Sequence, residues 1–285
     1  MDYIHKGDKI LNSFSFFTDR ITKLDNAINY YKQALKDFII KCDFLNYALL
    51  AEKIGDEYIK IGDNYNGLKY YNLSEKKYIE LDVEKYSNLI INKIIPLYIE
   101  DNKITYIAKS YYNLAKITRD DNNHIKTVDY FENAIRYYQS EQSIEIKDCY
   151  KDYANYLLDY GNIDYALKYL DLIIQLYLNN NTASLYSYFV DDYILLYILS
   201  VWTKNDTVLA KRKIDEYCEL APRFINSQIH KFIVGLQEII ENNDLDSFIE
   251  HITNYDLIKK LKPREVKLLL IIKKNFNFEN TVDLS

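Results

Sequence analysis

Three observations predict an all-α fold. Of the 285 residues only six are glycine and three proline, too little punctuation for a sheet protein. Apolar residues return at helical intervals along nearly the whole chain. Similar segments also recur: alternate helices are expected to start near residues 23, 64, 103, 143 and 182, a spacing close to 40. A pair of helices cannot bury its apolar stripes alone, so such a repeat implies stacking on neighbouring pairs. The expected architecture is a TPR-like right-handed superhelix of antiparallel helix pairs with a C-terminal helical bundle. Its parts are a solenoid over 1–221 carrying an N-terminal hydrophobic loop at 14–18, a bundle over 222–278 and a flexible tail over 279–285.

The elements follow in order. A weak first helix is expected over 2–13 and ends at a connector where Phe14, Phe16 and Phe17 crowd together. That trio reads either as a hydrophobic staple between two helices or as an exposed wedge for a membrane or partner. Helices then follow over 23–41, 43–62, 64–81, 82–100, 103–119, 122–139, 143–161, 162–178, 182–203 and 205–220. The pair from Lys103 to Gln139 is the clearest. Ile107, Tyr111, Leu114 and Thr118 form one stripe, and Val128, Phe131, Ile135 and Tyr138 the other. Asp120 to Asn123 supply the side chains that end one helix and cap the next.

Two punctuation marks carry specific expectations: Gly161 offers a left-handed C-cap, and Pro96 should bend or shorten its helix. The triplets Val83/Tyr86/Leu89, Ile125/Val128/Phe131 and Ile163/Ala166/Tyr169 repeat a pattern in which the middle residue lets paired helices approach. Past Ala221 the repeat stops. Pro222 is well placed as a first helical residue, with helices expected over 223–242 and 244–260 and a last one from Pro263.

Composition narrows the function. The net charge of −6 excludes nucleic-acid binding by mass electrostatics. Cys42, Cys149 and Cys218 are far apart and odd in number, against a disulfide framework or zinc site and in favour of a reducing compartment. The longest apolar run, Tyr193 to Trp202, is about half of the roughly 20 residues a membrane span requires, so a soluble, cytoplasmic protein is expected. The thirty tyrosines read as a compositional bias, filling helix interfaces while their hydroxyls reach solvent.

No phosphate-binding glycine loop is present, and His5, His124, His230 and His251 show no metal-ligand spacing and read as surface or turn residues. Asp191 and Asp192 read as a solvated pair rather than an acid–base dyad. No catalytic residue, metal or cofactor is expected, and the chain does not read as an enzyme. Two charge patterns remain. Lys103, Lys109 and Lys116 belong to one first-of-pair helix, Lys147 and Lys151 to the next, and together they would make a basic stripe along an inner wall. The stretch from Gly235 to Ile258 carries Glu238, Glu241, Asp244, Asp246, Glu250 and Asp256 with no lysine or arginine. These are either solvated faces or surfaces for two partners of opposite sign.

Five segments bear on that choice: Ile107–Lys109 with Leu114–Ile117 and Tyr130–Tyr138; Asn12–Phe17; Leu236–Phe248; Asn254–Ile258; and Ile271–Lys274 with the closing Asp283-Leu284-Ser285. In this order they resemble the soluble NSF attachment proteins, closest to the alpha/beta type. The resemblance implies an adaptor that binds assembled, syntaxin-type SNARE complexes, several copies to a bundle. It recruits and stimulates the AAA+ ATPase NSF for SNARE disassembly, hydrolysing nothing itself.

Carried over by position, Lys103 and Lys109 fall on SNARE-facing basic positions. Lys147 and Lys151 lie one residue from such positions, which hold Asp148 and Asp152 here, and Lys41 is close to another. Glu238 and Glu241 fall on the ATPase-facing acidic surface, and Leu284 corresponds to the ATPase-stimulating leucine. Phe14, Phe16 and Phe17 correspond to the membrane-attachment loop of a cytoplasmic protein peripheral on membranes.

The sequence also departs from the family. The loop is shorter and lacks a further Leu-Phe pair, Asn242 replaces a third carboxylate, and a lysine near Tyr186 is lost beside Asp191 and Asp192. A peptide-binding helical scaffold, and a decoy that binds SNAREs without activating disassembly, are the alternative readings.

Overall fold

The structure is a computed structural model that describes residues 2–13, 19–120, 123–179 and 187–279. The described residues are almost entirely helical and contain no strand. They form two compact units, Met1–Ile144 and Glu145–Ser285.

The first unit contains α1 (Asp2–Leu11), α2 (Arg20–Ile40), α3 (Phe44–Lys60), α4 (Asn64–Leu81), α5 (Val83–Leu89), a π-helical turn (Ile90–Ile94), α6 (Ile95–Glu100), α7 (Ile104–Asp120) and α8 (His124–Ser140). Its tightest pairs are α1 with α2, α3 with α4, and α7 with α8. For the first two the partners differ from the expected alternation, which starts pairs near 23 and 64. Small residues explain the choice. A Cβ on Gly7 of α1 would lie 2.4 Å from the Tyr31 ring, and one on Gly55 of α3 would lie 2.5 Å from Tyr71 and 3.1 Å from the Gly67 carbonyl. In α7 and α8 the same job falls to Ala108, Ala115 and Ala134, all fully buried.

The predicted stripes of α7 and α8 face inward: Ile107, Leu114, Thr118, Phe131, Ile135 and Tyr138 are buried. Thr127 donates to Thr118 at 3.0 Å across the pair. Tyr111 lies against Tyr130 and Tyr137, its ring centroid 6.2 and 5.9 Å from theirs. A π-helical turn stands just before Pro96, and the helix runs on through it to Glu100. Proline supplies no N–H and its ring pushes on the preceding turn, so one wide turn admits it without ending the helix.

Four helix connections follow one local rule. A residue in left-handed conformation is followed by a residue whose N–H reaches back five positions, and the next helix begins directly after it. Cys42 (φ 55°), Gly62 (φ 80°), Gly161 (φ 88°) and Asn243 (φ 52°) take the left-handed place. The amides of Asp43, Asp63, Asn162 and Asp244 donate to the carbonyls of Phe38, Tyr58, Leu157 and Ile239. This is a Schellman closure. The Asp43, Asp63 and Asp244 carboxylates then cap the next helix by accepting from Asn46, Asn66 and Ser247.

The second unit contains α9 (Ile146–Tyr160), α10 (Ile163–Asn179), α11 (Ser187–Trp202), α12 (Thr207–Leu220), a 3-10 turn (Phe224–Asn226), α13 (Gln228–Glu241), α14 (Leu245–Ile258) and α15 (Pro263–Glu279). Gly161 is the left-handed C-cap expected of it. Pro222 is not the first residue of a helix. It precedes the 3-10 turn, and α13 starts at Gln228 because the Ser227 hydroxyl caps it by accepting from the His230 amide at 3.0 Å. Pro263 does open α15.

The core here is aromatic: Trp202, Tyr153, Tyr169, Tyr217, Phe224, Phe232 and Phe248 are fully buried. Phe232 stacks on Tyr255, ring centroids 3.9 Å apart, and on His251 at 5.4 Å. His251 is therefore packed rather than displayed, its Nε2 3.0 Å from the Phe232 carbonyl.

Four buried tyrosines, Tyr31, Tyr71, Tyr78 and Tyr217, do not send their hydroxyls to solvent as expected. Tyr31 of α2 donates to Asp8 of α1 at 2.5 Å, and Asp8 takes Lys53 of α3 at 2.6 Å. One pair later, Tyr71 of α4 donates to Asp56 of α3 at 2.7 Å, and Asp56 takes Lys93 of the π turn at 2.7 Å. Tyr78 donates to Glu52, which also pairs with Lys93. In the second unit Tyr217 and Lys213 of α12 both donate to Asp171 of α10. Each set joins a tyrosine ring in the core to a charged pair at its edge, so the hydroxyl is satisfied where it is buried. Burial, and after it the bond to the carboxylate and the carboxylate's charge, push the Tyr31, Tyr71 and Tyr217 phenols far above their ordinary range.

Candidate functional site

The predicted basic positions of the first unit lie on α7 and at the end of α2. Lys103 sits at the mouth of α7, its carbonyl accepting from the Ile107 amide, and its ammonium pairs with Asp101 at 2.7 Å. Both side chains of that pair are more than two-fifths exposed, so the contact contributes little and yields readily to another anion. Lys109 is exposed on the face opposite the buried stripe. Lys116, on the same face as Lys109, lies 4.3 Å over the Tyr112 ring, a cation–π contact that holds it against the protein. Lys41 caps α2 and is exposed.

In the second unit Lys151 is exposed on α9, whereas Lys147 is half-buried over Tyr177 at 5.2 Å. Lys151 borders a cavity of about 680 Å³ closed by α9, α11 and the start of α15, with Asn155, Tyr193, Arg264 and Lys267 among its walls. Arg264 spans that cavity to Asp159 at 2.7 Å and Asn155 at 2.8 Å.

Asp191 and Asp192 are not the solvated pair that the sequence reading takes them for. Asp192 accepts from Lys259 at 2.7 Å and Lys262 at 2.5 Å, so two lysines answer its charge. They outweigh the cost of burial and hold its carboxyl below the usual range. Burial pushes the Asp191 carboxyl up to about 6, with Lys259 opposing and Asp192 adding to the rise. Glu265, 5% exposed, is also pushed up by burial and accepts from the Lys262 amide at 2.7 Å. Tyr255 brings beside this group a buried hydroxyl with no hydrogen-bond partner among the described residues. Sequence spacing carries no trace of the cluster, since its lysines stand 67 and 70 residues from Asp192.

The predicted acidic surface is present on α13 and α14. Glu238, Glu241, Asp244, Asp246 and Glu250 are exposed, and Asp256 pairs with Lys260. Glu241 also has an inward tie. The Trp202 indole donates to Gln237 Oε1 at 3.0 Å, and Gln237 Nε2 donates to Glu241 at 2.7 Å. The last turn of α13 is thus anchored to a buried tryptophan, which fixes where Glu238 and Glu241 stand. Asn242 caps that turn, its amide donating to the Glu238 carbonyl at 3.0 Å. Phe14, Phe16, Phe17 and Leu284 lie outside the described residues.

Nothing among the described residues gathers three or more metal-ligating side chains at one point, and no helix is long and apolar enough to cross a membrane. The three cysteines are free thiols. Fold and surface together define a helical-hairpin repeat protein with charged, exposed helix faces. The family model for the soluble NSF attachment proteins, SNAP, matches residues 1–277, and the chain belongs to that family. It is similar to the alpha-soluble NSF attachment protein of Homo sapiens, 24% identical over 271 residues that cover 93% of this chain and 90% of the relative. The grapevine (Vitis vinifera) protein of the same name is 20% identical, covering 95% and 92%. A probable vesicular-fusion protein sec17 homolog of Neurospora crassa is 22% identical, covering 95% and 94%.

Proposed function

We propose that this protein is an adaptor that binds assembled SNARE complexes and recruits and stimulates the AAA+ ATPase NSF, so that the complexes are disassembled in vesicle trafficking and membrane fusion. One observation carries the reading: the family match runs through both units, from residue 1 to 277. It takes in the basic helix α7 and the acidic turn of α13 alike. In this reading Lys103 and Lys109, with Lys41, Lys147 and Lys151, hold the acidic flank of the SNARE bundle. Glu238, Glu241 and Leu284 engage the ATPase. Phe14, Phe16 and Phe17 touch the membrane, on which a cytoplasmic protein sits peripherally.

The energetics suit a many-point grip. Each exposed lysine–carboxylate pairing is worth about 0–1 kcal/mol, so binding depends on several lysines together and on several adaptors around one bundle. Lys109, exposed and without an ion pair among the described residues, is ready for such a contact. Lys103 exchanges one exposed partner for another at little cost.

The test is co-sedimentation of the protein with a preassembled SNARE bundle and NSF, with and without ATP. A ternary complex that ATP disperses is expected. Lys103→Glu with Lys109→Glu should reduce SNARE binding by about tenfold or more, since two attractions become repulsions. Unchanged melting would show the variant folded, and unchanged binding would place the grip elsewhere.

A further inference from the structure

One face of the second unit combines exposed aliphatic side chains with cations that no carboxylate answers. α15 buries Leu268, Leu269 and Ile272 but leaves Val266, Leu270 and Ile271 40%, 55% and 36% exposed. Lys267 and Lys274 are exposed on the same side. Residues 267, 270, 271 and 274 fall at i, i+3, i+4 and i+7 and make one stripe along the helix.

Beside the stripe lies a cavity of about 280 Å³ between α15 and the turn that joins α9 to α10. Leu158, Tyr160 and Ile163 line it from the turn, and Lys267 and Ile271 from α15. The depression continues past Tyr160 and Ile163 to Lys204. Tyr160, at the end of α9 and 60% exposed, carries the apolar surface on along the rim of this cavity.

The cations around this face are unequally committed. Arg264 is taken by Asp159, and Lys204 pairs with Asp164. Lys267 reaches only the Asp159 backbone carbonyl, at 3.4 Å, and Lys274 makes no ion pair among the described residues. The local excess is positive in a chain whose net charge is −6. A contiguous apolar patch with a charged rim marks an interaction site. Its sign is opposite to that of the α13 turn, so it selects a different partner from the one that turn would take.

We infer that this face docks an acidic amphipathic helix of a protein partner, with aliphatic anchors in the cavity beside Tyr160 and Ile271 and carboxylates on Lys267 and Lys274. The spacing of the stripe matches the i, i+3/i+4, i+7 anchors of a helix laid in a groove. The concave floor favours a helix over a lipid surface, because a cavity of about 280 Å³ takes in the aliphatic side chains of a helix whereas a bilayer passes over it.

Fluorescence anisotropy on the full chain tests this, with a labelled synthetic peptide that presents leucine on one helical face and glutamate on the other. The same peptide with lysine in place of glutamate is the control. The acidic peptide should bind saturably, more weakly as salt rises, and the basic one should not. Lys267→Glu with Lys274→Glu should weaken binding by about tenfold or more. Leu270→Ser with Ile271→Ser should do the same through the apolar anchors. All four positions are exposed, so unchanged melting is the expected sign that the variants fold. Equal binding of both peptides, or binding indifferent to both variants, overturns the proposal. So does loss of binding to phosphatidylserine vesicles in the lysine variant when the acidic peptide never binds, because the face would then read lipid.

Discussion

The α3–α4 pair and the α13–α14 pair are each closed by a glycine, yet what faces the glycine differs. Gly55 looks onto the fully packed ring of Tyr71 and the backbone of Gly67, so neither neighbour can give way. Gly235 looks onto the His251 ring, whose Cε1 would lie 2.5 Å from an added Cβ. Around Gly55 the approach serves a polar network, because it brings the hydroxyls of Tyr71 and Tyr78 to Asp56 and Glu52 and those carboxylates to Lys93. Around Gly235 it serves an aromatic stack of His251, Phe232 and Tyr255. A two-helix repeat has little apolar area per helix and uses polar bonds at the edge of the core to fix its neighbours. The α13–α14 pair fixes its helices by stacking, whereas the α3–α4 pair adds its polar bonds to a single stack of Tyr58 on Tyr70.

The largest effect should come from Gly55→Val. The added methyls meet buried ring and backbone, and overpacking of this kind costs about 3 kcal/mol. Gly235→Val should cost less, since a half-buried imidazole can turn aside. Thermal unfolding of the two variants measures the gap, and an equal loss would erase the distinction between the pairs.

Next is Lys93→Met. Burial opposes the charge on Lys93, but its bonds to Asp56 and Glu52 outweigh that and raise its pKa. Removing the cation leaves two carboxylates together beside two tyrosine hydroxyls. The groups are part-exposed, 29% for Lys93, so the loss should be about 1–2 kcal/mol rather than that of a fully buried pair. Denaturant titration measures it, and adding Glu52→Gln should restore part of the loss if the polar network is what holds these helices.

The smallest effect is a pH dependence specific to the C-terminal helices. The Asp191 carboxyl titrates near 6 in the folded protein against 3.8 ordinarily. A raised carboxylate pKa means the folded state favours the protonated form. The cost of the charge is therefore fully present above about pH 6 and fades as pH falls from there towards 3.8. Asp191→Asn should stabilise the protein by about 1 kcal/mol at neutral pH after allowance for solvent screening, and by almost nothing near pH 4. Asp192 has the opposite sign, since its lowered pKa gives stability that is lost only in stronger acid. A stabilisation by Asp191→Asn that is the same at both pH values would show that packing, not charge, is responsible.

Much of the fold is legible in the sequence because its determinants are local. The stripes of α7 and α8 face the core as their periodicity predicts, and Gly161 takes the left-handed cap. The Asn-Asp and Gly-Asp dipeptides at 205–206, 243–244 and 62–63 could have located three of the helix boundaries, since one residue supplies the left-handed turn and the next the cap. Pro222 misleads because a stronger local signal, the Ser227 cap, lies five residues on. The candidate charged faces were legible as charge, and Lys103, Lys109, Glu238 and Glu241 are displayed on the surface. The inward tie of Glu241 through Gln237 to Trp202 was not legible, because it joins residues 35 apart.

The sequence by itself determines that this chain is helical, roughly where each helix starts and stops, and that helix pairs repeat. Those features depend on bonds and contacts within a few residues. Only the tertiary structure decides which helices pair most closely, which carboxylate answers which lysine, and why so many tyrosines are buried. Those choices depend on where a glycine lets two backbones meet and on which charges burial then brings together, and neither is encoded in spacing along the chain.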